Sequence, residues 1–271
     1  MKTLTATNFA PFNIFEPHYP IKTDLVYARV GHPDNHFKNL YHPDANLLWA
    51  HKDIIPIVLL ASLIGYQMGW TLKLNDCLRP VEAQERMAQY GYDPNLVSTP
   101  GAGAHPRGMA IDIQPLLGPN ISEEMGTAFD HFTDNLNDNP AARNYTRFPA
   151  ENLAEIFAVR RKRNDLETTM CVAADILGQS ILPLPQEWWD FRFEEGVENR
   201  CAAATYWGDY APLRESDLPS YMHLVGEPGA IPANIEEDLR LYAIATDELV
   251  RSKAATVGVR HMNCMGRVEC V

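Results

Sequence analysis

The chain has 271 residues, 46% of them hydrophobic and 21% charged, with a formal net charge of −12. That is enough for one sizeable core with an appended segment. The acidic balance argues against nucleic acid and anionic membrane as partners, which need a basic footprint, and no apolar run reaches the ~18–20 residues of a membrane span.

Asn8, Pro11 and Asn13 interrupt any apolar run after Met1, so no signal peptide is expected. The five cysteines (Cys77, Cys171, Cys201, Cys264, Cys270) are scattered and form no CxxC pair. Reduced thiols in the cytoplasm are the default for such a pattern. Residues 1–50 show little periodicity. A short strand is expected over 25–30, and His32, His36 and His42 fit no common ligand spacing and read as loop residues. Helical spacing of Ile54, Ile55, Val58, Leu59, Leu63 and Ile64 predicts a helix over 51–68, ended by Gly69. Alternation over 70–75 predicts a strand that delivers Asp76 and Arg79 to its end. Pro80 suits the start of a helix over 81–90.

Residues 91–104 read as a loop, punctuated by Gly91, Pro94, Pro100, Gly101 and Gly103. A short strand is expected over 109–113, with Ala110 and Asp112 on one face. Asp130 and Asp134 fall near a loop. A helix is expected over 151–177 with a break near Asn164, then a strand over 188–193. Beyond residue 200 come a Pro-rich connector (Pro212, Pro219, Pro228, Pro232), a helix over 235–252 and a weakly patterned tail. The division expected is a catalytic domain over 1–200, with 201–271 an extension packed on it.

His105 and Asp112, six residues between them and a turn in that gap, form a two-ligand platform for a metal such as zinc. Taken alone, the pair reads first as a turn-capping aspartate beside a loop histidine. Glu187 has the chemistry to take a proton from water and pass it to a leaving amine, although by itself it reads first as a surface residue before a buried Trp pair. Arg79 has the chemistry to stabilise an oxyanion, or to pair with Asp76, Glu82 or Glu85.

The order of these residues carries a resemblance. Asp76-Cys77-Leu78-Arg79-Pro80 is similar to a D-x-Y-R-P motif, and His105-Pro106-Arg107-Gly108-Met109-Ala110-Ile111-Asp112 to H-x-x-G-x-A-x-D. Met125-Gly126-Thr127-Ala128-Phe129-Asp130 is similar to M-G-T-x-F-D, and Glu187-Trp188-Trp189-Asp190-Phe191 to E-W-W-H-F. In this order they resemble the D-alanyl-D-alanine dipeptidase family, zinc enzymes known from vancomycin resistance and related in fold to metallo-D,D-carboxypeptidases. The resemblance covers about residues 25–195.

It implies an α+β fold, with a mostly antiparallel central sheet and flanking helices. It also implies hydrolysis of D-Ala-D-Ala or a related small dipeptide, with Glu187 as general base, Arg79 at the oxyanion and Asp130 at the substrate's amino end. Metal ligands map to His105, Asp112 and Asp190. Asp190 stands where the family has its third zinc-binding histidine, Leu78 replaces the motif tyrosine, and Gly103-Ala104 replaces the S-x that precedes the family's histidine. Two aspartates and one neutral histidine make a formally neutral divalent site. Such oxygen-rich ligation shifts preference from zinc toward manganese or another harder ion. Two outcomes stand open: a metallopeptidase with altered metal or substrate, or a non-catalytic relative that binds a peptide or cell-wall fragment without metal. A third is that His223 folds back to replace the missing ligand.

Overall fold

A computed structural model of the chain describes residues 1–38, 40–91, 96–117, 121–122, 124–133, 135–147, 153–196, 204–259, 262–263 and 267–268. Asp134, Cys201, Cys264 and Cys270 lie outside the described residues. The elements in chain order are β1 (Phe9–Pro11), β2 (Ile21–Thr23), β3 (Trp49–His51), α1 (Ile55–Tyr66), β4 (Trp70–Asp76), α2 (Val81–Ala88), β5 (Ala110–Leu117), β6 (Ile121–Ser122), α3 (Leu153–Ile176), β7 (Ile181–Pro183), β8 (Asp190–Phe193), α4 (Ala233–Thr256), β9 (Met262–Asn263) and β10 (Arg267–Val268). The class is α+β. The main sheet runs β2-β4-β5-β8-β7, with β6 paired to the far end of β5. Only β2–β4 is parallel.

Helix α1 explains the layering. It is apolar on every face, and Ile55 and the whole run from Ile57 to Leu63 are buried. A helix without a polar face has to be covered on all sides. It packs against β4, α3 and α4 at once. The Ser62 hydroxyl, fully buried within it, donates to the Leu59 carbonyl at 2.7 Å and leaves no stranded polar atom. Helix α4 joins the core through Leu239, Val250 and Ala254. It is tied to earlier chain by Tyr242 Oη donating to the Lys52 carbonyl (2.8 Å) and Tyr19 Oη donating to Asp247 (2.9 Å). No described helix is long and apolar enough to cross a membrane.

Three expectations need correction. Residues 25–30 do not form a strand: pairing ends where Asp24 N–H meets the Leu74 carbonyl (2.8 Å), and Val26–Ala28 is a 3-10 turn. Leu25, Val26, Tyr27 and Ala28 are all buried, which an alternating strand with a wet face would not allow. Helix α3 has no break at Asn164, because asparagine's helical penalty is small and packing against α1 carries the helix through. The strand expected over 188–193 begins only at Asp190. Trp188 and Trp189 sit in the preceding turn, both buried and edge-to-face at 5.2 Å.

The turn before β5 is shaped by one residue. His105–Arg107 is a 3-10 turn that closes on Gly108, whose φ is +62°. A Cβ there would lie 2.7 Å from Phe9 Cε1 and 3.1 Å from the His51 backbone nitrogen, which bonds the Gly108 carbonyl. Gly108→Ala should therefore destabilise the protein by more than the ~1–2 kcal/mol of a left-handed alanine. A drop in the urea midpoint would register it, and a midpoint unchanged from wild type would refute this account of the turn.

Candidate functional site

Strands β4, β5 and β8 lie side by side, and their register places Asp76 opposite Asp112 and Asp112 opposite Asp190. The register shifts between Leu74 and Asp76, and this irregularity is what brings Asp76 rather than Asn75 level with Asp112. Three buried carboxylates therefore form a row across the sheet. Like charges directly opposite one another destabilise a ladder, so the row needs cations.

Arg79 serves one end: Nε and Nη2 lie 2.7 and 2.6 Å from Asp76 Oδ2, and Nη2 lies 3.4 Å from Asp112 Oδ2. Tyr41 Oη donates to Asp76 Oδ1 at 2.7 Å. Arg192 serves the other end, with Nε donating to Asp190 Oδ1 at 2.9 Å and Nη2 pairing with Oδ2. His105 covers the middle. Its Nδ1 bonds the Cys77 carbonyl at 2.8 Å, and its Nε2 lies 3.5 Å from Asp112 Oδ1 and 3.4 Å from Asp190 Oδ2.

Asp76, His105 and Asp112 have ligand atoms within 4.8 Å of one another and could hold a metal ion. Asp76, however, already accepts from Arg79 and Tyr41, and it faces the Nδ1 side of His105 at 3.5 Å. The bond from Nδ1 to Cys77 turns Nε2 toward the other two aspartates, the arrangement by which an outer partner orients a ligating imidazole. Two features there suit a metal. Asp112 Oδ1 is buried with no hydrogen-bond partner. The 3.4 and 3.5 Å separations are long for hydrogen bonds but near the ~3.3 Å edge of a tetrahedron with ~2.0 Å bonds. Without a metal the imidazole holds a proton: burial and Arg79 oppose the charge, yet Asp112 and Asp190 outweigh them and raise its pKa to about 10. Burial disfavours the Asp190 carboxylate, but Arg192 and His105 hold its pKa below the usual range.

Arg79, His105, Asp112, Asp190 and Arg192 line a cavity of about 80 Å³ together with Glu187, Asp130, Tyr27 and Ser98. That is more than the ~10–15 Å³ a cavity needs to hold a water. Burial, then Asp190 and Asp112, push the Glu187 carboxyl well up. Asp130 accepts from Tyr27 Oη at 2.6 Å and is the sole described non-glycine residue at positive φ, +56°. Burial lifts its pKa to about 7, against the stabilising bond from Tyr27.

Two arginines, Arg163 buried and Arg143 half-buried, hold the loops that carry these carboxylates. Arg143 donates to the Leu184 (2.9 Å) and Asp190 (2.8 Å) carbonyls and lies over the Phe191 ring at 4.3 Å. Arg163 donates to the Met125, Ala142 and Pro140 carbonyls at 2.7–2.9 Å. Thr127 accepts from Trp188 Nε1 at 2.8 Å, joining the Asp130 segment to the Glu187 turn.

All six residues singled out from sequence (Arg79, His105, Asp112, Asp130, Glu187, Asp190) thus meet in one cavity. His223 does not: its Nε2 lies 3.2 Å from the Leu218 carbonyl, and it lines a separate pocket with Trp49 and Tyr221. It therefore does not replace a ligand. Sequence reasoning missed Tyr27, Tyr41 and Arg192, and treated Asp76 only as a partner for Arg79. Arg192 carried a local signal, because residues i and i+2 of a strand share a face. No protein-family model matches the chain, and no curated protein does. The chemistry of the site carries the functional argument.

A metal ion at His105 Nε2 would have to displace a proton. Affinity for a divalent metal should rise with pH below about 10, by roughly tenfold per unit for one proton released. Calorimetric titration in buffers of different ionisation heat counts that proton. Affinity independent of pH between 6 and 8 would remove His105 from the ligand set.

Proposed function

We propose that the cavity is the active site of a metal-dependent dipeptidase acting on D-Ala-D-Ala or a related small dipeptide. The observation that carries this reading is the convergence of His105 Nε2, Asp112 Oδ1 and Asp190 Oδ2 in a cavity that Glu187 and Arg79 also line. The resemblance of four ordered motifs to the D-alanyl-D-alanine dipeptidase family supports it.

His105, Asp112 and Asp190 would hold the metal, zinc or a harder ion such as manganese, which supplies Lewis acidity toward a carbonyl. Glu187 takes the proton of the attacking water. Its raised pKa makes it a stronger base than an ordinary carboxylate and lets it return the proton to the leaving amine. Arg79 is pinned by Asp76 through Nε and Nη2, and its Nη1 faces the Met87 sulfur at 3.7 Å. A thioether is a weak acceptor, so Nη1 is available to an oxyanion. Asp130 receives the substrate ammonium, with Tyr27 fixing its carboxylate.

A second reading is a non-catalytic binder of a peptide or cell-wall fragment. The Asp190–Arg192 pair favours it, because a guanidinium already neutralises one proposed ligand without metal. The readings separate on Glu187→Gln. For the enzyme, kcat falls by roughly 10²–10⁴ with metal content unchanged. If zinc-, manganese- or cobalt-loaded protein hydrolyses no dipeptide of any stereochemistry, the enzyme reading is wrong.

The pH profile should report Asp130. Only its ionised form attracts an ammonium, so kcat/KM for a dipeptide should rise as pH increases through about 7. Asp130→Asn should flatten that rise; a profile unchanged in the variant would assign it to another group.

A further inference from the structure

Arg192 does not spend all its donors on Asp190. Nε and Nη2 make that pair, which leaves Nη1 over. Nη1 lies 3.7 Å from the point where a side chain at Gly103 would begin, and the Ser98 hydroxyl lies 3.7 Å from the same point. Gly103 sits at φ +78°, a conformation that disfavours any side chain. The guanidinium arm and the hydroxyl thus face the same side of the Gly103 α-carbon, with no side chain between them. Arg192 and Ser98 both line the cavity that holds His105 and Glu187.

We propose that Arg192 Nη1 and Ser98 Oγ form the subsite for the free carboxylate of the substrate, which makes them specificity-determining residues. The inference rests on the proposed dipeptidase reading and deepens it.

Sheet order supplies the geometry. Asp130 accepts from Tyr27, which follows β2, a strand separated from β5 by β4. Arg192 is on β8, the other side of β5. A zwitterion with its ammonium at Asp130 and its carboxylate at Arg192 therefore lies across β5, with its peptide bond over His105 and Asp112. Two charged ends fixed this way admit a dipeptide and exclude a longer chain.

The charge balance selects a carboxylate over a phosphate. Asp112, Asp130, Glu187 and Asp190 all line the cavity, and a dianion would meet their summed repulsion with one spare guanidinium arm in compensation. A planar monoanion needs two donors, and two are present.

The test compares D-Ala-D-Ala with its C-terminal amide on metal-loaded protein, by equilibrium binding and by kcat/KM. Wild type should favour the acid by roughly tenfold to hundredfold. Arg192→Lys keeps a charge beside Asp190 but loses the spare arm, and should reduce that preference to within about twofold through KM. Ser98→Ala should reduce it partly and serves if Arg192→Lys does not fold, as judged by unfolding midpoint and metal content. A wild type indifferent to the carboxylate, or a full preference surviving both variants, overturns the subsite. Acid-selective binding without hydrolysis would sink the dipeptidase reading and leave the subsite standing.

Discussion

Three aspartates abreast on adjacent strands set the terms for this molecule. Asp76, Asp112 and Asp190 are buried and in register, an arrangement that a sheet does not tolerate without counter-charge. Each cation near them answers that demand. Arg79 and Arg192 clamp the two ends, and His105, raised to a pKa of about 10, holds the middle. A divalent ion would meet the same demand more strongly, and Asp112 Oδ1 is buried in the row without a hydrogen-bond partner.

The loops around the row are tied to one another for a related reason. Arg143, Arg163 and Arg107 spend their guanidinium groups largely on backbone carbonyls. Arg107 takes those of Tyr210 and Gly103 at 2.7 and 2.6 Å, Arg143 the turn before β8 and Arg163 the segment before Asp130. Loops are where functional groups sit and where positions drift. A planar fork reading several carbonyls at once removes that drift. Even the chain beyond residue 204 takes part, since Leu213 bonds the Pro106 carbonyl beneath the His105 turn and accepts from Val81.

Asp190 and Arg192 make sense as a unit. A neutral histidine and a carboxylate–guanidinium pair carry the same net charge. Were a metal bound beside Asp190, Arg192 would offset the negative charge that an isolated aspartate adds, and the Lewis acidity of the metal would depend on that balance.

Much of this was legible in the sequence. The all-apolar run of α1, the alternation of β4, the His105 to Asp112 spacing across a glycine turn and the Glu187-Trp188-Trp189 segment are local patterns, and local patterns follow from the 3.6 and 2.0 periodicities of the backbone. The pairing of Asp76 with Asp112 and of Asp112 with Asp190 was not legible, because it depends on register between distant strands and on an irregularity at Asn75. For the same reason Tyr27 passed as part of a strand, whereas burial of all its neighbours folds it into a turn aimed at Asp130. The chain alone determined which chemical groups are present and how far apart they stand along it. Only the tertiary structure decided which carboxylates share a face, which cation each one meets and which oxygen is left without a partner. Electrostatic energy depends on distance through space, and sequence records only distance along the chain.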